Sequence, residues 1–204
     1  MKLRDLFYST LNNYTNDIDY VNDFYSYIIN QYNSSSRFYH NIDHLTFMFK
    51  ELAQSSILPL NRDALILSIF YHDAIYKSTK KDNEYQSALI LEKHLAKTDF
   101  KHVELCKNQI NATKNHATSL IDPDTNLLID IDLAILGHKK NVYQLYTENV
   151  RKEYSIHPKF IYNPARKKAM QHFLEQDRIF KTDEFYNTYE SMARDNISKE
   201  INNL

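Results

Sequence analysis

The sequence predicts an all-α protein, and three observations carry that prediction. Apolar residues recur at steps of three and four along nearly the whole chain. Helix-breaking residues fall between those stripes and not inside them. Strand-like alternation between Gly- or Pro-marked turns is missing.

The stripes follow one another in order. Leu3, Leu6 and Phe7 start the first, and Tyr20, Phe24, Tyr27 and Ile28 form the second. Ser34-Ser35-Ser36 separates the second from a third, made of Leu45, Met48, Phe49 and Leu52. After Pro59 comes a strongly apolar run with Leu65, Ile66, Ile69, Phe70 and Ala74, and Asn61 or Asp63 can cap its start. A polar turn around Lys80 leads to Leu89, Ile90 and His94, and then to Val103, Cys106 and Ile110. A turn with Pro123 precedes Leu127, Leu128, Ile131 and Ile135. Gly137 suits the position after a helix end, where a left-handed backbone is favoured. Val142, Leu145, Tyr146 and Val150 run up to Pro158. Ala165, Ala169 and Phe173 follow Pro164, and a last helix is expected from Glu184 to Ile201. This makes roughly eight to ten helices. No low-complexity linker divides them, so residues 1–204 read as one domain.

Composition excludes several functions. The single glycine rules out a dinucleotide-binding GxGxxG loop, a Walker A loop and a GxSxG nucleophile elbow. The single cysteine, Cys106, rules out an intramolecular disulfide and a Cys-rich zinc module. With 25 Lys and Arg against 26 Asp and Glu, the net charge of −1 gives no footprint for duplex nucleic acid. The N-terminal MKLRDLFYST lacks the apolar core of a signal peptide, and no apolar run is long enough for a membrane span. The expectation is a cytoplasmic protein with no membrane partner.

Chemistry concentrates in a few segments. FYHNIDHLTFMF carries His40 and His44 four residues apart, on one side of a helix. LSIFYHDAIY puts His72 beside Asp73 in an apolar run, TKNH ends in His116, and DIDLAILG holds Asp130 and Asp132. A buried carboxylate without a partner is very costly. One cation shared by these segments would resolve the burial of His72, Asp73 and an aspartate of the DID pair together. Imidazole and carboxylate donors without thiols suit one divalent ion among Mn, Fe, Co, Ni, Zn and Mg.

The order of these residues resembles the HD phosphohydrolase superfamily: a His, a later His-Asp doublet, and a final Asp. The strings YHNIDH, FYHDAIY, DNEYQSA, TKNH, DIDLAILG and RKEY, in that order, look like a bacterial subgroup described as predicted metal-dependent HD phosphohydrolases. The resemblance spans roughly residues 37–180 and implies an all-α HD-type domain. It implies His44, His72, Asp73 and Asp132 as metal ligands. Asp132 is preferred to Asp130 on the family form alone, since the chain by itself does not separate them. It further implies hydrolysis of a phosphate ester or anhydride, on a nucleotide or another small phosphorylated metabolite, by a water that the metal acidifies. Asp73 would accept the proton, with Glu84 or His116 assisting.

Other residues carry two readings. His40 and His44 have the spacing of HExxH without its Glu, so His40 either faces substrate or packs. Glu84 is either a site carboxylate or a favourable charge at a helix start. Lys77, Lys80 and Lys81 either steer a phosphorylated substrate or form a solvated loop. Arg151 and Arg166 suit phosphate binding or an internal ion pair. Tyr39, Tyr71 and Tyr76 can stack on a base or fill the core. His94, His102, His138, His157 and His172 have no constellation around them and read as surface or packing residues. Two other functional classes stay open: a non-catalytic HD module sensing a nucleotide or binding a protein, and an HD-type di-iron oxygenase.

Overall fold

The computed structural model describes residues 2–116 and 122–204. The described residues form helices and no strand. In order these are α1 (Leu3–Leu11), α2 (Ile18–Tyr32), α3 (Ile42–Gln54), α4 (Arg62–Tyr71), α5 (Asn83–Leu95) and α6 (Val103–Ala112). They continue with α7 (Pro123–Leu133), a 3₁₀ turn (Ala134–Gly137), α8 (Lys140–Glu153), α9 (Lys159–Leu174) and α10 (Asp183–Asn203). None of these helices is long and apolar enough to cross a membrane.

Two helices form the centre. In α4 every residue from Ala64 to Tyr71 is buried, and in α7 Leu127 through Ile131 are buried without a break. A helix that is apolar on all sides must be surrounded. The neighbours of α4 are α1, α3, α5, α6 and α7. The outer helices α1, α2 and α3 carry one apolar stripe each and turn it inward. Consequently, polar residues at the ends of α4 and α7 are buried by the fold's own centre.

Side-chain caps fix where the helices start. The Asn41 side chain accepts from the amides of Asp43 and His44 at the start of α3. Asp122 caps α7, with Pro123 in its first turn, where the missing N–H costs nothing. Neither expected residue caps α4 with its side chain. Instead the buried Asp124 accepts from the amides of Leu60 and Asn61, at 2.9 and 2.7 Å, and ties the entry of α4 to α7. Asp63 accepts from the Tyr14 hydroxyl at 2.9 Å.

Four local expectations need correction. His40 and His44 do not share a helix, because Asn41 is the N-cap of α3 and His40 precedes it. The doublet His72-Asp73 does not lie inside a helix: α4 ends at Tyr71, His72 is its C-cap and Asp73 stands in the following turn. Gly137 has no positive φ. Its need for glycine is close approach: an added Cβ would lie 2.5 Å from the Tyr189 Cβ, where α10 crosses the 3₁₀ turn. Pro164 does not precede a helix but sits within α9, at the cost of one backbone hydrogen bond on an exposed face.

Candidate metal centre and its cavity

Three helices bring the polar residues together. His44 comes from the first turn of α3, His72 and Asp73 from the end of α4, and Asp132 from the last turn of α7. One donor atom from each of His44, His72 and Asp132 lies within 4.8 Å of the other two. His44 Nε2 is 3.2 Å from His72 Nε2 and 3.3 Å from Asp132 Oδ1. His72 Nε2 is 3.2 Å from Asp73 Oδ2 and 3.9 Å from Asp132 Oδ1. Donors ~2.1 Å from one ion stand about 3.0–3.4 Å apart at tetrahedral or adjacent octahedral positions. The separations of 3.2–3.3 Å match those edges, the 3.9 Å between His72 Nε2 and Asp132 Oδ1 is longer, and Asp73 stands outside the three-residue group.

The His72 ring is aimed as a ligand should be, whereas the buried His44 Nδ1 has no partner among the described residues. His72 Nδ1 donates to the Ile69 carbonyl at 2.8 Å, which leaves the Nε2 lone pair pointing into the cluster. With neutral imidazoles, Asp73 and Asp132 give the buried cluster two negative charges. A divalent cation balances that charge, and without one the site must gather protons. Burial opposes charging of His72, yet the adjacent Asp73 and Asp132 carboxylates lift it to about 9. Burial works against ionised Asp73 as well, but His72 holds its carboxyl well below the usual range. Asp132 is likewise held low against burial, by His116 and His44. Burial pushes the His44 ring down.

Asp130 and Asp132 separate cleanly. Asp130 points away from the cluster and accepts from the amides of Lys181 and Thr182, at 2.6 and 2.7 Å, and from the Thr182 hydroxyl. Its carboxylate holds the start of α10.

His116 reaches the other oxygen of Asp132, with Nε2 3.3 Å from Oδ2. It has a left-handed φ of 50°, rare for a residue with a side chain and a mark of functional positions. His40 lies beside the cluster. Its Nδ1 donates to Glu153 Oε2 at 2.7 Å, while Glu153 Oε1 accepts from the amides of Tyr39 and His40. The His40 ring stacks on Tyr76 with centroids 4.0 Å apart. Burial disfavours its charge, but Glu153 raises its affinity for a proton overall.

A cavity of about 700 Å³ meets the cluster at Asp132, with His40, His116 and Arg166 also on its wall, while His44, His72 and Asp73 are off it. Arg166 is held by Glu200 at 2.7 Å and donates to the Tyr146 hydroxyl at 3.1 Å, so it is both wall and ion pair. Arg151 donates to the carbonyls of Tyr154 and His157. Tyr39 and Tyr76 line the cavity, whereas Tyr71 is core. His94 packs as expected, stacked on Phe24 at 4.2 Å.

Three expected residues stand apart from the cluster. Glu84 lies in the first turn of α5, off the cavity wall, with no ion pair or side-chain hydrogen bond among the described residues. Lys77 and Lys81 are exposed and also off the wall. The wall lysine is Lys114, whose Nζ donates to the Lys81 carbonyl at 2.7 Å.

Sequence reasoning passed over four residues. His157 and His172 line the cavity from the start of α9 and its last turn. Glu153 stands in the string RKEY but only folding reveals its partner His40. Arg37 is buried and donates to the carbonyls of Asp73 and Ala74, a role no residue pattern announces.

Comparison with family models, with curated proteins and with solved structures finds no match for this chain.

Proposed function

We propose that this protein is a metal-dependent phosphohydrolase of the HD type, acting on a phosphate ester or anhydride of a small molecule. One observation carries the reading. Donor atoms of His44, His72 and Asp132 lie within 4.8 Å of one another, close enough to share one cation, with an Asp73 oxygen 3.2 Å from His72 at the edge of the group. Their chain order is the HD order.

A divalent ion bound there supplies Lewis-acid polarisation of a phosphoryl oxygen and activation of water. The chain's own residues do the rest. Asp73 offers a carboxylate oxygen to take the proton of the attacking water. His116, beside Asp132, and Lys114, on the same cavity wall, offer nitrogen donors for the phosphoryl oxygens. His40, oriented by Glu153, faces the cavity with a ring able to hold a proton for the leaving group.

The test is turnover of p-nitrophenyl phosphate, its diester and a nucleotide panel by protein loaded with Mn, Fe, Co, Ni, Zn or Mg. Hydrolysis that depends on metal and disappears in Asp73→Ala together with bound metal is expected. Fully loaded wild type that cleaves no phosphoester contradicts the reading. Loss of turnover with full metal retained would leave Asp73 as proton acceptor only.

A further inference from the structure

The cavity beside the cluster has two unlike ends. At the cluster stand His40, His116 and Asp132, with Tyr39 beside them. The Tyr39 hydroxyl is buried without a hydrogen-bond partner among the described residues, a donor waiting for an acceptor. Half of the remaining wall residues are apolar, including Ile135, Leu136, Val150, Ala169, Met170 and Phe173.

What the wall lacks is as telling. Reading a nucleobase takes donors and acceptors aimed at its edge, because a site selects polar groups by pairing them. Among the described wall residues Asn115 offers the only side-chain amide and Asp132 the only carboxylate, and the other polar groups away from the cluster are tyrosine hydroxyls, the imidazoles of His157 and His172 and the Lys114 ammonium. The Arg166 guanidinium is already engaged by Glu200 and the Tyr146 hydroxyl.

The apolar wall also continues outward. Ile161 belongs to it and is 49% exposed, and its neighbours Ile156 and Phe160 are 69% and 78% exposed. Exposed apolar side chains near the edge of a cavity add surface that an apolar ligand can cover.

We infer that the site takes a phosphoester with an apolar body, an alkyl or aryl phosphate, in preference to a nucleotide. The phosphoryl end meets the His/Asp cluster, and the body lies along the apolar face of α9. This rests on the phosphohydrolase reading above, and its test separates the two.

The experiment is calorimetric binding of ethyl-, butyl-, hexyl- and octylphosphonate and of adenosine monophosphate to the full chain, with and without Mn²⁺. Burial of a methylene is worth about fourfold in affinity. Octylphosphonate is therefore expected to bind more than about 100-fold tighter than ethylphosphonate, and tighter than adenosine monophosphate. Ala169→Gln changes an exposed wall residue and is expected to pull the octyl-to-ethyl ratio down at least tenfold. A flat chain-length series, or tighter binding of adenosine monophosphate than of octylphosphonate, overturns the inference. A steep series without metal dependence or phosphoester turnover supports the apolar ligand and overturns the phosphohydrolase. Turnover of p-nitrophenyl phosphate with a flat series does the reverse.

Discussion

The Arg37 guanidinium donates to the Asp73 carbonyl at 2.7 Å, and its second terminal nitrogen donates to the Ala74 carbonyl at 3.0 Å. It also reaches the His40 carbonyl at 3.3 Å and lies over the Tyr32 ring. No carboxylate pairs with it among the described residues. A cation at a helix C-terminus meets the carbonyls left free there. Arg37 thereby joins the segment leading into α3 to the turn after α4, the two stretches that carry His44 and the His72-Asp73 doublet.

Arg37→Ala is expected to weaken metal binding by about 10- to 100-fold, the usual effect of removing a group that orients ligands. Arg37→Lys restores only part, since one ammonium cannot span two carbonyls as the planar fork does. Metal titration followed by circular dichroism checks this. Unchanged affinity in Arg37→Ala, with the helices intact, sinks the positioning role.

The two aspartates of the DID segment predict opposite phenotypes. Asp132→Asn removes a ligand and is expected to abolish metal retention. Asp130→Asn sets an amide against the donors of Lys181 and Thr182 and is expected to cost about 1–3 kcal/mol while leaving metal content alone. Denaturant melts beside elemental analysis of both variants separate the cases. Metal loss in Asp130→Asn with retention in Asp132→Asn would reverse the assignment.

His94 makes stability depend on pH. Burial pushes its ring down to about 4, whereas in the unfolded chain it titrates near its ordinary value of 6.5. Below 6.5 the unfolded state binds the proton first, so stability falls as pH drops and levels off near 4. The full contribution is ~3 kcal/mol. Denaturant unfolding from pH 7 to pH 4 should show this slope, and His94→Gln should flatten it. An equal slope in both proteins would contradict the account.

Gly137→Ala is expected to destabilise. The added methyl meets the Tyr189 Cβ at 2.5 Å and its carbonyl oxygen at 2.7 Å, and the latter is backbone that cannot swing aside. Overpacking of this kind costs about 1–3 kcal/mol, a fall in Tm of about 2–12 °C at this size. A melt within 1 °C of wild type would show that the crossing can relax.

How far the sequence goes is visible in these residues. The all-α class was legible because apolar steps of three and four report directly on which face each helix buries. The burial of α4 and α7 was legible too, since runs apolar on every side have nowhere else to go. The cost of burying His72, Asp73 and one aspartate of the DID pair pointed to a shared cation, and the choice of His44 and of Asp132 over Asp130 came from the HD resemblance. The end of α4 at Tyr71 was not legible, because no breaker marks it and Ala74 continues the apolar pattern. Arg37 stayed hidden because its partners are backbone carbonyls, which every residue carries. The Glu153–His40 pair joins positions 113 apart in the chain, and only packing brings them together. Gly137 suggested a left-handed turn, and its real requirement, the close approach of Tyr189, shows only where α10 crosses.

The central claim is that His44, His72 and Asp132, with Asp73, hold one divalent ion. Elemental analysis of purified wild type beside His72→Ala and Asp132→Asn tests it most directly, with thermal melts in added Mn²⁺. The account predicts about one metal equivalent in wild type and none in the variants. It also predicts stabilisation of wild type alone by ~2.7 kcal/mol at a hundredfold excess over Kd. Wild type that carries no metal and shows no rise in Tm with Mn, Fe, Co, Ni, Zn or Mg would contradict it.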